Sequence, residues 1–372
     1  MPSNLSSKKI LILHANAGAG HRKAAEAVWH GLQTRGVKDA LCCDALEHTN
    51  AFFKNAYPAG YEFMVGKLPK LWEIFFELTD KPGMQPLFQG GRRVYNGINA
   101  GPLVKFVKEG GFDIIVTAHF LSTEVVGHLR ASGQLPKARL VTLVTDYDVH
   151  RIWLTKGVDL YCVASEYTKR RLTALGVAEE RIAVTGIPVD EKFTVVRDKA
   201  AIRRMLGLDP AQFTVLLSTS SFGFGPIEEL ASLLKDIQLI IICGNNRELL
   251  ARMTARNNPR HKINGFVGNM EEMMAAADVM ITKPGGLSIT EALANRLPLI
   301  FFSAIPGQEA GNVRVLAEHG IGMSERPLPE IAGEIRRLAG DPAALQEARS
   351  QCAVLARPDS VARIIEELMS KK

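Results

Sequence analysis

Short apolar runs recur along the chain, and stretches with helical spacing separate most of them. Residues 8–14, 41–46, 113–117, 139–145, 160–164 and 181–185 read as strands, and residues 21–33 read as a helix. The pattern pauses at Gly186-Ile187-Pro188-Val189-Asp190, then restarts with strands at 213–218, 239–243, 279–282 and 297–302. Strands alternating with helices predict parallel sheets covered on both faces. The fold class expected is α/β, with two doubly wound Rossmann-like domains. The boundary falls near residues 188–200, giving domains 1–192 and 193–357. A last helix over 360–370 follows Arg357-Pro358-Asp359, and segment 358–372 is read as one that crosses back to the first domain. Ligands of such sheets bind beyond the carboxyl ends of the strands, so the expected site is a cleft between facing domains.

Composition adds limits. At 372 residues the chain has room for about two cores. Hydrophobic content of 47% with 23% charged residues is that of a soluble globular protein. No apolar run approaches the ~20 residues that cross a bilayer, and no signal peptide is read before the first strand. Cys42, Cys43, Cys162, Cys243 and Cys352 show neither metal-ligand spacing nor C-x-x-C, which suggests reduced structural thiols in a cytosolic protein. The modest net charge of +6 is compatible with a nucleotide, an anionic membrane face, nucleic acid or solubility alone. Nucleic acid is not expected as a partner.

Candidate chemistry collects at strand ends. The strand closing at Thr282 runs into Lys283-Pro284-Gly285-Gly286 and then a helix-forming run containing Ser288 and Glu291. Bare amides and a positive helix end would cradle a phosphate there, and Glu291 is spaced to take a ribose hydroxyl. Ser218-Thr219-Ser220-Ser221-Phe222-Gly223 and Gly244-Asn245-Asn246 close two further strands, with Ser220, Gly223 and Asn245 as candidate contacts. Pro306-Gly307-Gln308-Glu309-Ala310-Gly311-Asn312 offers amides and a carboxylate for a polyol. In the first half, Gly18-Ala19-Gly20-His21-Arg22-Lys23 lacks the third glycine of the dinucleotide fingerprint. His21 there opens a helix, whose positive end favours the neutral imidazole and suits a general base. Asp146 follows another strand and would orient His21 or a substrate hydroxyl, while His150 and Trp153 would touch an acceptor. No metal is expected, since the spacing matches no usual zinc pattern. Residues 52–78 interleave aromatics, among them Phe63, Trp72 and Phe75, with Lys54, Lys67 and Lys70. That mixture reads either as a segment dipping into a bilayer surface or as interior helices. Arg92-Arg93 would add anionic-lipid contacts.

These motifs resemble the monogalactosyldiacylglycerol synthase and processive diacylglycerol glucosyltransferase group, relatives of the lipid-linked GlcNAc transferase of peptidoglycan synthesis. The resemblance runs through Gly18-Ala19-Gly20-His21, Val144-Thr145-Asp146-Tyr147-Asp148-Val149-His150 with Trp153, Val184-Thr185-Gly186-Ile187-Pro188-Val189, Gly265-Phe266-Val267 with Met270-Glu271-Glu272-Met273, Thr282-Lys283-Pro284-Gly285-Gly286-Leu287, and Pro306 to Asn312. It implies a GT-B fold, a UDP-sugar donor in the second domain, a diacylglycerol-like acceptor against the first, and inversion with neither metal nor cofactor. It implies His21 as base, and the strand-end position of Asp146 suggests a carboxylate that assists it. Phe266 and Val267 would hold the uracil, and Glu291 the ribose. Gly285, Gly286 and Ser288 would hold the diphosphate, and Gln308 and Glu309 the sugar. Gly18, Gly20, Pro284 and Asn312 fall among the substrate contacts. The implied location is cytoplasmic, peripheral on the inner face of the cell membrane. One departure stands at Thr219-Ser220-Ser221, where the group is richer in glycine, so either hydroxyls would replace close backbone contacts or donor affinity would be weak. Two other readings share the architecture: a UDP-sugar epimerase, which needs no lipid, and a non-catalytic nucleotide-sugar sensor.

Overall fold

β1 (Ile10–His14), β2 (Ala40–Asp44), β3 (Ile114–Thr117), β4 (Arg139–Leu143), β5 (Leu160–Val163) and β6 (Ile182–Val184) pair in parallel, in the order β2-β1-β3-β4-β5-β6. Alternate residues feed opposite faces, as a pleated strand requires. Leu11 and Leu13 join one apolar cluster with Ile115 and Leu140, and Ile10 and Ile12 join another with Val116 and Val141. The second face is closed by helix α1 (Ala19–Thr34) and by the last helix, Ser360–Met369, through Val361, Ile364, Ile365 and Leu368. These helices meet at Gly31, where an added Cβ would collide with Val361 Cγ1.

β7 (Thr214–Ser218), β8 (Gln238–Ile242), β9 (His261–Asn264), β10 (Val279–Thr282) and β11 (Leu299–Phe301) form a second parallel sheet, in the order β11-β10-β7-β8-β9. β9 was not anticipated. Its sequence, His261-Lys262-Ile263-Asn264, is mostly polar and half-buried because it lies at the sheet edge, where a lysine protects the open ladder.

The computed structural model describes residues 5, 7–16, 18–84, 90, 99–219, 225–302, 304, 307–324 and 326–370, apart from the side chains of Glu62, Pro69 and Gln308. Two compact units result. One holds Met1–Glu191, Ile305–Gly311 and Arg357–Lys372, and the other holds Lys192–Ala304 and Asn312–Ala356. Among the described residues no helix is long and apolar enough to cross a membrane.

In each sheet the strand order reverses direction once, between β1 and β3 and between β7 and β10. Loops leave in opposite directions at such a point and open a crevice beyond the carboxyl ends. The first unit also carries α2 (Ala51–Lys67) and α3 (Pro69–Asp80), joined through Leu68. Asn50 caps α2 by accepting from the Phe53 amide at 2.8 Å, and Pro69 opens α3, where its missing N–H costs nothing.

Candidate active site

The carboxyl ends of β1, β3 and β4 supply one cluster in the first unit. After β1 the chain turns through Gly18, whose φ of 125° only glycine adopts readily. α1 begins at Ala19 with no side-chain cap and no acidic residue in its first turn. Gly20 and His21 sit in that turn. His21 Nδ1 lies 2.8 Å from the Ala118 carbonyl oxygen and 3.0 Å from Thr145 Oγ1. A carbonyl only accepts, so Nδ1 carries the proton and Nε2 keeps its lone pair. The His119 ring stands edge-on to His21 with centroids 4.6 Å apart, and Trp153 is 6.3 Å away.

Burial pushes the His21 imidazole down to about 4, against a smaller opposing effect of its bond to Ala118. Sequence reasoning credited the helix end; desolvation is the main cause. Ala118 and Thr145 make the orienting bonds to the ring, and neither was anticipated. Both follow strand ends, the rule that singled out Asp146. Asp146 is buried one residue past Thr145. Its charge and that of Glu309 reach Tyr61 on α2, whose hydroxyl is driven upward first by burial and then by these two carboxylates. The structure thus gathers Asp146, Glu309 and Tyr61. Tyr61 carried no motif of its own.

His150 and Trp153 take interior places. His150 Nδ1 accepts from the Ile152 amide at 3.0 Å and Nε2 donates to the Phe76 carbonyl at 2.9 Å, so the ring ties α3 to the turn that follows β4. Trp153 is 2% exposed. Phe63 and Phe75 are 56% and 42% exposed, beside exposed Phe52, Leu71 and Ile74. Trp72 is half-buried, edge-on against Tyr61 at 5.4 Å, and its buried Nε1 finds no hydrogen-bond partner among the described residues.

In the second unit β10 ends at Thr282, Pro284 is buried, and Gly285 is the N-cap of the helix Gly286–Ala294. That helix has no side-chain cap and no acid in its first turn, so among the described residues no side chain takes its leading amides, an arrangement suited to an anion. Asn312 donates to the Pro284 carbonyl at 3.0 Å and fixes the turn. Ser288 is half-buried, and Glu291, 4% exposed, lies one turn in. Asn245 and Phe266 are exposed and Val267 is half-buried. Ser220, Gly223, Arg92, Arg93 and the Gln308 side chain lie outside the described residues. Among the described residues no three His, Cys, Asp or Glu side chains gather as a metal cluster. A cavity of about 870 Å³ in the first unit runs along the edge strand β6, beside Arg139, Leu160, Ile182 and Thr185, and none of the predicted site residues lines it.

The profile described as monogalactosyldiacylglycerol (MGDG) synthase matches residues 21–189, and that of the glycosyltransferase family 28 C-terminal domain matches residues 226–349. Monogalactosyldiacylglycerol synthase of Spinacia oleracea is 34% identical over 383 residues, covering 98% of this chain and 72% of that protein. The chain belongs to the MGDG synthase family. This MGDG synthase relative is thereby a glycosyltransferase. Processive diacylglycerol beta-glucosyltransferase of Bacillus subtilis is 27% identical over 375 residues, covering 98% of this chain and 96% of that one. Among solved structures, Anabaena Alr3699/HepE, crystallised with UDP, aligns with a TM-score of 0.57 at 18% identity over 97% of this chain and 99% of that chain. Acinetobacter baumannii MurG aligns with a TM-score of 0.59 at 16% identity over 98% and 100%. These likenesses show the fold, GT-B, with its two Rossmann-like α/β domains.

Proposed function

We propose that this MGDG synthase relative moves a hexose from a UDP-sugar to a diacylglycerol-type lipid by a single inverting displacement that uses no metal or cofactor, with His21 as general base. The observation that carries the reading is the 2.8 Å contact between His21 Nδ1 and the Ala118 carbonyl oxygen, which calls for a proton on Nδ1 and so leaves a lone pair on Nε2. The acceptor hydroxyl gives its proton to Nε2 as its oxygen bonds to the anomeric carbon. The bond from that carbon to the UDP phosphate oxygen breaks, and its electron pair leaves on the nucleotide. Open amides at Gly286 and Leu287 would stabilise that charge without reorganising. Phe266 and Val267 would hold the uracil, Glu291 the ribose, and Gln308 and Glu309 the sugar. Names of the relatives support both galactose and glucose as cargo.

The exposed apolar surface of α2 and α3 supports a lipid acceptor over the epimerase and sensor readings, which need none. Lys67 and Lys70 are exposed beside it and would meet anionic headgroups on the inner face of the membrane, whereas Lys54 is already paired with Glu47. His21→Ala should lower transfer about 10²-fold or more while leaving UDP affinity within about 2-fold. The assay follows radiolabelled UDP-glucose, UDP-galactose and UDP-GlcNAc into diacylglycerol in vesicles. Equal loss of transfer and UDP binding would make His21 structural. An isomerised sugar formed without lipid would replace transfer with epimerisation.

A further inference from the structure

We infer that His119 is a positioning residue for His21: by capping the helix Phe120–Ala131 it fixes the Ala118 carbonyl, which holds the proton on His21 Nδ1 and leaves Nε2 free. The inference rests on the reading of His21 as base only for its kinetic consequence.

His119 is 2% exposed and follows β3 at the point where the sheet order reverses. Its Nδ1 accepts from the Leu121 amide at 3.1 Å, so the neutral ring carries its proton on Nε2. The main chain on either side is pinned as well. The Ala118 amide donates to the Leu13 carbonyl at 2.9 Å, and the His119 carbonyl accepts from the Thr123 amide at 3.0 Å, Ser122 Oγ at 2.8 Å and Thr123 Oγ1 at 3.0 Å. The peptide between Ala118 and His119 is therefore held at both ends, and its carbonyl oxygen is the group facing His21. Without the side-chain cap, the first turn of this helix can tilt, and the carbonyl with it.

The same ring packs edge-on against His21 and limits its rotation. Other neighbours of His119 are His14 at the end of β1, Tyr57 on α2 at 6.1 Å, and Phe120 at 4.1 Å. Burial holds the His119 imidazole well below its ordinary range, and the facing His21 and His14 push the same way. Both effects favour the unprotonated ring that the cap bond requires. A protonated Nδ1 could not accept the Leu121 amide.

The test separates the cap from the ring. His119→Asn keeps a side-chain acceptor suited to an N-cap and removes the imidazole. His119→Phe keeps a ring and removes the acceptor. Long-range 1H–15N correlation spectra of histidine-labelled protein read the His21 tautomer, assigned by its disappearance in His21→Gln. The wild type and His119→Asn should show the Nδ1–H form, with transfer kcat within about 3-fold of each other. His119→Phe should show mixed tautomers and a kcat lower by about 10-fold or more, with donor KM within about 2-fold. An intact Nδ1–H signal in His119→Phe overturns the inference, and so does a mixed signal in folded His119→Asn. If His119→Phe does not fold, the Asn variant decides alone by the same signal. A tautomer that shifts while transfer is unchanged supports the positioning role and removes His21 from the chemistry.

Discussion

Three imidazoles, those of His14, His21 and His119, share the crevice at the ends of β1 and β3, and burial is the largest downward influence on each. For His21 the value falls to about 4. A base so depressed is fully neutral at physiological pH, and its weak basicity leaves positioning and fixed dipoles to supply most of the rate. The acid limb of the kcat profile should therefore fall near pH 4 rather than near 6.5, as a pH-rate study with saturating donor would show. Stability follows the same group. The unfolded chain takes up the His21 proton near pH 6.5 and the folded chain near 4, so between those values the unfolded state binds more protons and stability is lost as the pH is lowered. About 2.5 pKa units amount to roughly 3 kcal/mol. Urea titrations from pH 7 to pH 4 should show a shallower loss in His21→Gln than in wild type; equal slopes would remove the burial argument. The cysteines stand at the other extreme. Burial raises Cys42, Cys162 and Cys352 to about 12 and Cys43 and Cys243 to about 11, which makes them poor nucleophiles, in line with thiols that fill space.

Strands of parallel sheets are buried on both faces, and their unbroken apolar runs stood out in the sequence for that reason. β9 escaped because an edge strand with a lysine and an asparagine lacks that signature. Candidate motifs with unusual local sequence, such as Pro284-Gly285-Gly286 and Gly18-Ala19-Gly20-His21, could be picked out from the chain alone, and the structure places both at strand-to-helix turns. His119, Thr145 and Tyr61 were not, because their roles depend on which strands become neighbours, and β1 and β3 are separated by about 100 positions and only the topology makes them adjacent. Residues 52–78 left two readings open, surface or core. Burial answers at the level of the helix: Phe53 is interior, whereas Phe63, Leu71, Ile74 and Phe75 are exposed. Inserting such side chains into a membrane surface is worth about 1–2 kcal/mol each when burial is partial. Leu71→Ser with Phe75→Ser should then weaken binding to anionic vesicles about 10-fold or more, with the far-ultraviolet spectrum and UDP affinity unchanged. Sedimentation with phosphatidylglycerol vesicles measures it, and undiminished binding would place the membrane contact elsewhere.

At the scale of the whole chain, the order of residues and the order of folding units do not coincide. The first unit takes its sheet from the first half of the chain, then recruits Ile305–Gly311 and Arg357–Lys372. The second recruitment is energetic as well as geometric. Val361, Ile364, Ile365 and Leu368 are buried in the same cluster as Ile10, Ile12, Val116 and Val141. Arg139, at the start of β4, donates to the Glu367 and Ser370 carbonyls at 2.8 Å each, satisfying the open end of the last helix. Val189 donates its amide to Ser360 Oγ at 3.3 Å, fixing the helix at its other end. Burying four such side chains contributes on the order of 6–12 kcal/mol at about 1.5–3 kcal/mol each, comparable with the entire stability of an ordinary domain. Among the described residues, the core cluster of the second unit, which draws on β7, β8, β10 and β11, includes no side chain of this helix. Removing residues 357–372 should therefore abolish the calorimetric transition of the first unit, or bring it below 37 °C, while a transition from the second unit persists and still responds to UDP. If both transitions survived at their original temperatures, the last helix would be an ornament of the first sheet rather than part of its core. Loss of both together would instead show that the two units melt as one cooperative body.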